Sequence, residues 1–154
     1  MSTSIKTPSS TAKLGEYLAK LLACKADGTN WVFFRDRFMF AIDAAGLSDH
    51  FEDAVTSAEP VIPVFADPQQ LTADENKVHD AYTARWRFWR SEQAVIKQGL
   101  ATVIPDSLFR KIKSEKTAKS MWDKVKREYE HNYRWSPLIC AANCKMSGAQ
   151  MEVT

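Results

Sequence analysis

The chain has 154 residues, 45% of them apolar, and a net charge of +2, which suits one globular domain with tails and excludes a wholly disordered chain. No apolar run reaches the roughly 18–20 residues that span a bilayer, and the N-terminus lacks the uninterrupted apolar core of a signal peptide, so a soluble, cytoplasmic protein is the expectation. The small net charge hides an asymmetry: residues 43–76 hold eight acids and no Lys or Arg, whereas residues 106–134 hold nine bases against five acids.

In chain order, Met1 to about Thr11 is rich in Ser, Thr and Lys and reads as a tail. From Thr11 to Cys24, Leu14, Tyr17 or Leu18, Leu21 and Leu22 share a stripe and predict a first helix. Asp27-Gly28-Thr29-Asn30-Trp31 supplies a turn and, at Thr29 or Asn30, an acceptor for the free N–H groups of a second helix over 30–45. Trp31, Phe34, Phe38 and Ile42 follow at steps of three and four, and Gly46 can close the helix in the left-handed region. Pro60, Pro63 and Pro68 exclude regular helix around them, so Pro-Val-Ile-Pro-Val-Phe is expected to run extended over the core.

Thr72-Ala73-Asp74-Glu75 has the form of a capping box. It opens a long helix whose Val78, Tyr82, Trp86, Trp89, Gln93, Ile96 and Leu100 make one face. Trp86 and Trp89 are interleaved with Arg85, Arg87 and Arg90. Base stacking is one reading of that pattern, but the rings share the apolar face and a core role is expected. Gly99 weakens the helix end and Pro105 stops it. A short helix over 107–112 carries Leu108, Phe109 and Ile112; a last one over 114–130 turns Ala118, Met121, Trp122, Val125 and Tyr129 inward. The economical architecture is all-α, a compact bundle of about five helices over residues 12–133 with tails at 1–11 and 134–154.

Reactive constellations are missing. His50, His79 and His131 have no metal or nucleophile spacing, and no phosphate-binding glycine loop occurs among five glycines. Cys24, Cys140 and Cys144 are too sparse for a disulfide scaffold. The latter two with His131 do not make a zinc set. No catalytic, cofactor or metal residues are assigned, and an enzyme is not expected. Lys116, Lys119, Lys126 and Arg127 on or beside the last helix lie opposite or flanking Trp122, where they could meet RNA phosphates or an acidic neighbouring subunit; a solvated face is the plain alternative.

The landmarks also come in a telling order. Asp27-Gly28-Thr29-Asn30-Trp31 and Phe34 are followed by Ala45-Gly46-Leu47 and His50-Phe51. Trp89 with Glu92-Gln93-Ala94 comes next, then Ile104-Pro105, then Thr117-Ala118-Lys119-Ser120-Met121-Trp122 with Val125 and Tyr129. Over residues 22 to 130 this resembles the Gag polyproteins of copia-type LTR retrotransposons. Position 34 is Phe where that family commonly has Trp, Glu92 and Ala94 sit closer to Trp89 than its spacing, and its Cys/His zinc knuckle has no counterpart here. The resemblance implies a retroviral-capsid-like unit that self-associates into virus-like particles enclosing RNA. Its motif residues Trp31, Phe34, Phe38, Leu47, Trp89, Trp122, Val125 and Tyr129 would build the core. The alternative is a domesticated, Gag-derived adaptor that binds another protein and forms no particle. Partners are thus expected to be other copies of the chain and, weakly, RNA, with no membrane and no small-molecule substrate.

Overall fold

In the computed structural model of the chain, residues 9–52 and 58–134 are described. They form five α-helices: α1 (Ser9–Ala19), α2 (Trp31–Ala44), α3 (Ala73–Val103), α4 (Asp106–Ile112) and α5 (Ala118–Arg134). A single 3-10 turn, Ser48–His50, follows α2, and no strand occurs among the described residues. The fold is all-α. The first helix begins at Ser9, inside the stretch read as a tail, and most of the segment 134–154 lies outside the described residues.

α1 is shorter than its stripe suggests. Leu14 and Leu18 are buried, but after Ala19 the chain leaves the helix through bonds from Lys20 N–H to Tyr17 O and Leu21 N–H to Leu18 O, and Leu22 ends in solvent. The connection to α2 is sewn to the far end of α3 by Cys24 N–H donating to Val103 O at 2.8 Å. Asn30 does not cap α2. Its Oδ1 accepts from Lys25 N–H at 2.9 Å and its Nδ2 donates to Ala23 O at 3.0 Å, so its side chain braces the loop instead. Thr29 likewise turns backward, its N–H and hydroxyl both donating to Asp27 Oδ1.

α2 closes as its glycine predicts. Gly46 has φ of +70°, Gly46 N–H donates to Asp43 O, and Leu47 N–H donates to Ile42 O. That paired arrangement satisfies two terminal carbonyls and folds Leu47 into the core. Residues 58–72 carry neither helix nor strand. The capping box at α3 is complete: Thr72 Oγ1 accepts from Glu75 N–H, and Glu75 Oε2 accepts from Thr72 N–H at 2.8 Å.

α5 starts four residues later than its pattern suggests. Thr117 and Ser120 cap it reciprocally, Thr117 Oγ1 accepting from Ser120 N–H at 3.1 Å and Ser120 Oγ from Thr117 N–H at 3.3 Å. The core is one aromatic-rich cluster. Trp31 stacks on Tyr129 at 4.9 Å, and Phe38 stacks on Trp122 at 4.6 Å. Phe51 meets both Phe38 and Trp122 edge-on. The aromatic face of α2 therefore packs on α5, and burial of these large rings is the main source of stability.

The long helix corrects one expectation. α3 has 31 residues, about 46 Å at 1.5 Å per residue, while the neighbours that could cover it are far shorter. Only its second half is buried, from Glu92 through Ile96, Leu100 and Val103. Trp86 and Trp89 are half-buried rather than core, and Val78 is exposed. Gly99 is no weakness either: a Cβ there would stand 2.3 Å from Leu18 Cδ1, so its bare Cα lets α1 lie close on α3.

Candidate functional site

Two features could carry function, one enclosed and one on the surface. The enclosed one joins three landmarks distant in sequence. His50 Nε2 lies 2.9 Å from Glu92 Oε2, and His50 Nδ1 lies 3.0 Å from Gln93 Nε2. Gln93 Oε1 accepts from Ala118 N–H at 2.7 Å.

The hydrogen positions follow from the backbone. Ala118 N–H can only donate, so the Gln93 atom facing it is the carbonyl oxygen and the atom facing His50 is the amide nitrogen. That nitrogen also only donates, so Nδ1 accepts and the imidazole proton sits on Nε2, directed at the Glu92 carboxylate. The 3-10 turn, α3 and the first turn of α5 are thereby locked together by one polar chain. A histidine beside a carboxylate is the skeleton of a general base, but the His50 and Glu92 side chains are 2% and 7% exposed, which leaves no access for a substrate. Its third member caps a helix. The arrangement is structural.

Tyr129 performs a related task at the other end of α5. Its hydroxyl donates to Lys25 O at 3.1 Å, and its ring would lie 3.1 Å from a Cβ at Gly28, whose φ is +73°. Burial first, then the hydrogen bond with Cys24, raises the Tyr129 phenol far above its ordinary value. Burial likewise pushes the Cys24 thiol up, partly offset by that hydrogen bond.

On the surface, the four predicted basic contacts differ in exposure. Lys116 is exposed ahead of α5, with its carbonyl taken by the Lys97 ammonium; Lys119 and Lys126 are half-buried. Only Arg127 lines the cleft of about 430 Å³ between α4 and α5, with Lys111, Lys124, Glu128 and His131. Lys111 and Lys124 pair there with Glu128 and Glu115, so much of the positive charge is already neutralised. No group of residues able to hold a metal occurs among those described, and none of their helices is long and apolar enough to cross a membrane.

The apolar surface is more distinctive, and sequence periodicity missed it because it lies off the core stripes. On the outer side of α2, Phe33 and Phe40 are 71% and 73% exposed. In the proline-rich segment, Val61, Ile62 and Val64 are 88%, 70% and 96% exposed. Phe33 also forms a wall of a groove of about 260 Å³ with Leu22, Asn30 and Arg37, floored by Phe34. Comparison with known proteins gives no relative: no family model, no curated protein and no solved structure matches the chain.

Proposed function

We propose that the chain is the capsid-type structural unit of a copia-like retrotransposon, self-associating into particles that enclose RNA. The observation that carries this reading is the pair of exposed apolar surfaces on separate elements, Phe33 and Phe40 on α2 and Val61, Ile62 and Val64 in the proline-rich segment. The core closes without them, and large apolar side chains grouped in solvent mark surfaces that meet other proteins. Two such surfaces per copy permit extended assembly. The resemblance of the ordered landmarks to copia-type Gag supplies the identity of the assembly, and the acidic 43–76 and basic 106–134 segments supply further attraction between copies.

Sedimentation over a concentration and salt series, with electron microscopy of the same samples, tests it. Concentration-dependent association with particles in the images is the expected result. A strict monomer at high concentration in every salt would overturn it, and a monomer that saturably captures one unlike protein would favour the adaptor reading.

A further inference from the structure

The two apolar surfaces complement each other, and among the described residues neither is occupied. Residues 60–65 read Pro-Val-Ile-Pro-Val-Phe. Pro60 and Pro63 fix their own φ near −65° and bias Glu59 and Ile62 toward extended conformations, so this segment has little backbone entropy left to lose on docking. It offers Val61, Ile62 and Val64 to solvent and is flanked by Glu59 and Asp67, with no base between them. The groove beside α2 has the opposite character. Leu22 and Phe33 wall it, the edge of Phe34 floors it, and Arg37 stands at its rim without a carboxylate partner among the described residues. Proline-rich segments bind aromatic-lined grooves in many recognition modules for this reason: a stiff apolar ligand meets flat rings.

We propose that the Pro60–Phe65 segment of one copy docks into the Leu22–Phe33–Arg37 groove of the next, with an acidic flank of the segment meeting Arg37. Among the described residues both surfaces are open, and the contact we assign joins separate copies. It is heterologous, because each copy carries one ligand and one receptor; repetition builds rings or open chains according to whether the rotation closes. Each link is one short-segment contact, and closure into a ring, which holds every copy by two bonds, adds stability beyond a single link. This inference rests on the assembly reading and names its contact.

The test uses the full chain, with Phe33→Glu to block the groove and Val64→Asp to block the segment. Both side chains lie mostly in solvent, and circular dichroism checks that the helices are kept. Each substitution should weaken self-association by about tenfold or more, the loss expected when an interface anchor is removed. Mixing the two variants should restore a single contact and stop at a 1:1 heterodimer, because the groove-blocked chain still supplies a segment and the segment-blocked chain still supplies a groove. A peptide of residues 58–68 should also inhibit association of the unmodified chain. If the unmodified chain associates and both variants do so equally well, this contact is wrong while the assembly reading stands. If each variant is monomeric but the mixture does not pair, the two surfaces do not meet each other, and the inference fails. If the unmodified chain never associates, both fall.

Discussion

Gln93 reaches His50 with its amide nitrogen at 3.0 Å while its oxygen takes the N–H of Ala118, so one side chain fixes a histidine tautomer and caps a helix. Gln93→Leu keeps the apolar bulk but leaves the Ala118 N–H and His50 Nδ1 buried without partners. Each buried group left unpaired costs on the order of 1–3 kcal/mol, so urea unfolding should show a loss of about 2–6 kcal/mol, enough to threaten a domain of ordinary stability. A loss within error of zero would mean that water satisfies both groups.

Trp122 is the centre of the aromatic cluster, stacked on Phe38 and in contact with Trp31, Phe34 and Phe51. Trp122→Ala should remove about 3–5 kcal/mol, the usual range for emptying such a site. Denaturant midpoints at constant slope would measure it. A small loss would place this ring outside the core.

Gly99→Ala tests the close approach of α1 to α3. Alanine favours helix by roughly 1 kcal/mol over glycine, so on an open helix face it would stabilise. Here the new methyl would collide with Leu18, and Leu18 is itself buried against the core. The net effect should be destabilising by about 1–2 kcal/mol, since overpacking typically costs 1–3 kcal/mol. A rise in melting temperature would show that α1 can shift away freely.

Alkaline pH should weaken the fold. The Tyr129 phenol is held protonated by burial and by its bond with Cys24, and the Cys24 thiol is raised by burial. Above the ordinary values of about 8.5 for Cys and 10 for Tyr, the unfolded chain loses these protons while the folded chain keeps them. The stability they contribute is therefore complete below about pH 8.5 and declines as pH rises further. Stability measured from pH 8 to 11 should fall, and the fall should be shallower in Tyr129→Phe with Cys24→Ala. An identical slope in that double variant would rule these two groups out as its source.

Thr72→Ala removes the hydroxyl half of the capping box, a change that ordinarily costs about 0.5–2 kcal/mol. The first half of α3 buries none of its residues, so its fraying is local and little coupled to global unfolding. Hydrogen exchange should accelerate in residues 73–80 while the global denaturant midpoint stays nearly unchanged. A midpoint shift matching the full capping energy would mean that this half of α3 is integral to the core.

The elements most legible in sequence were those set by local rules. The Thr72–Glu75 box, the Gly46 stop and the Trp31–Phe34–Phe38–Ile42 face each depend on residues within about a turn or two of one another, and each occurs in the structure. Asn30 and Thr29 misled for a related reason: both can cap a helix, and only the path of the preceding loop decides that Asn30 bonds Lys25 and Ala23 instead. The α5 boundary moved to Thr117 because a Thr–Ser reciprocal cap stands there with Gln93 as a third partner.

The sequence alone determined that the described residues form an all-α fold, where most helices turn, and that Trp31, Phe34 and Phe38 of α2 and Trp122 and Tyr129 of α5 face inward, because hydrophobic periodicity and turn chemistry act between near neighbours in the chain. Tertiary structure alone decided how far along α3 that face stays covered, since coverage depends on the lengths of α1 and α5 and on how they cross it. It also decided that His50, Glu92 and Gln93, whose bonded pairs stand 42 and 43 positions apart in the chain, form one buried chain of hydrogen bonds. Contacts at such separation leave no periodic trace, because they are fixed only when the packed helices bring the side chains together.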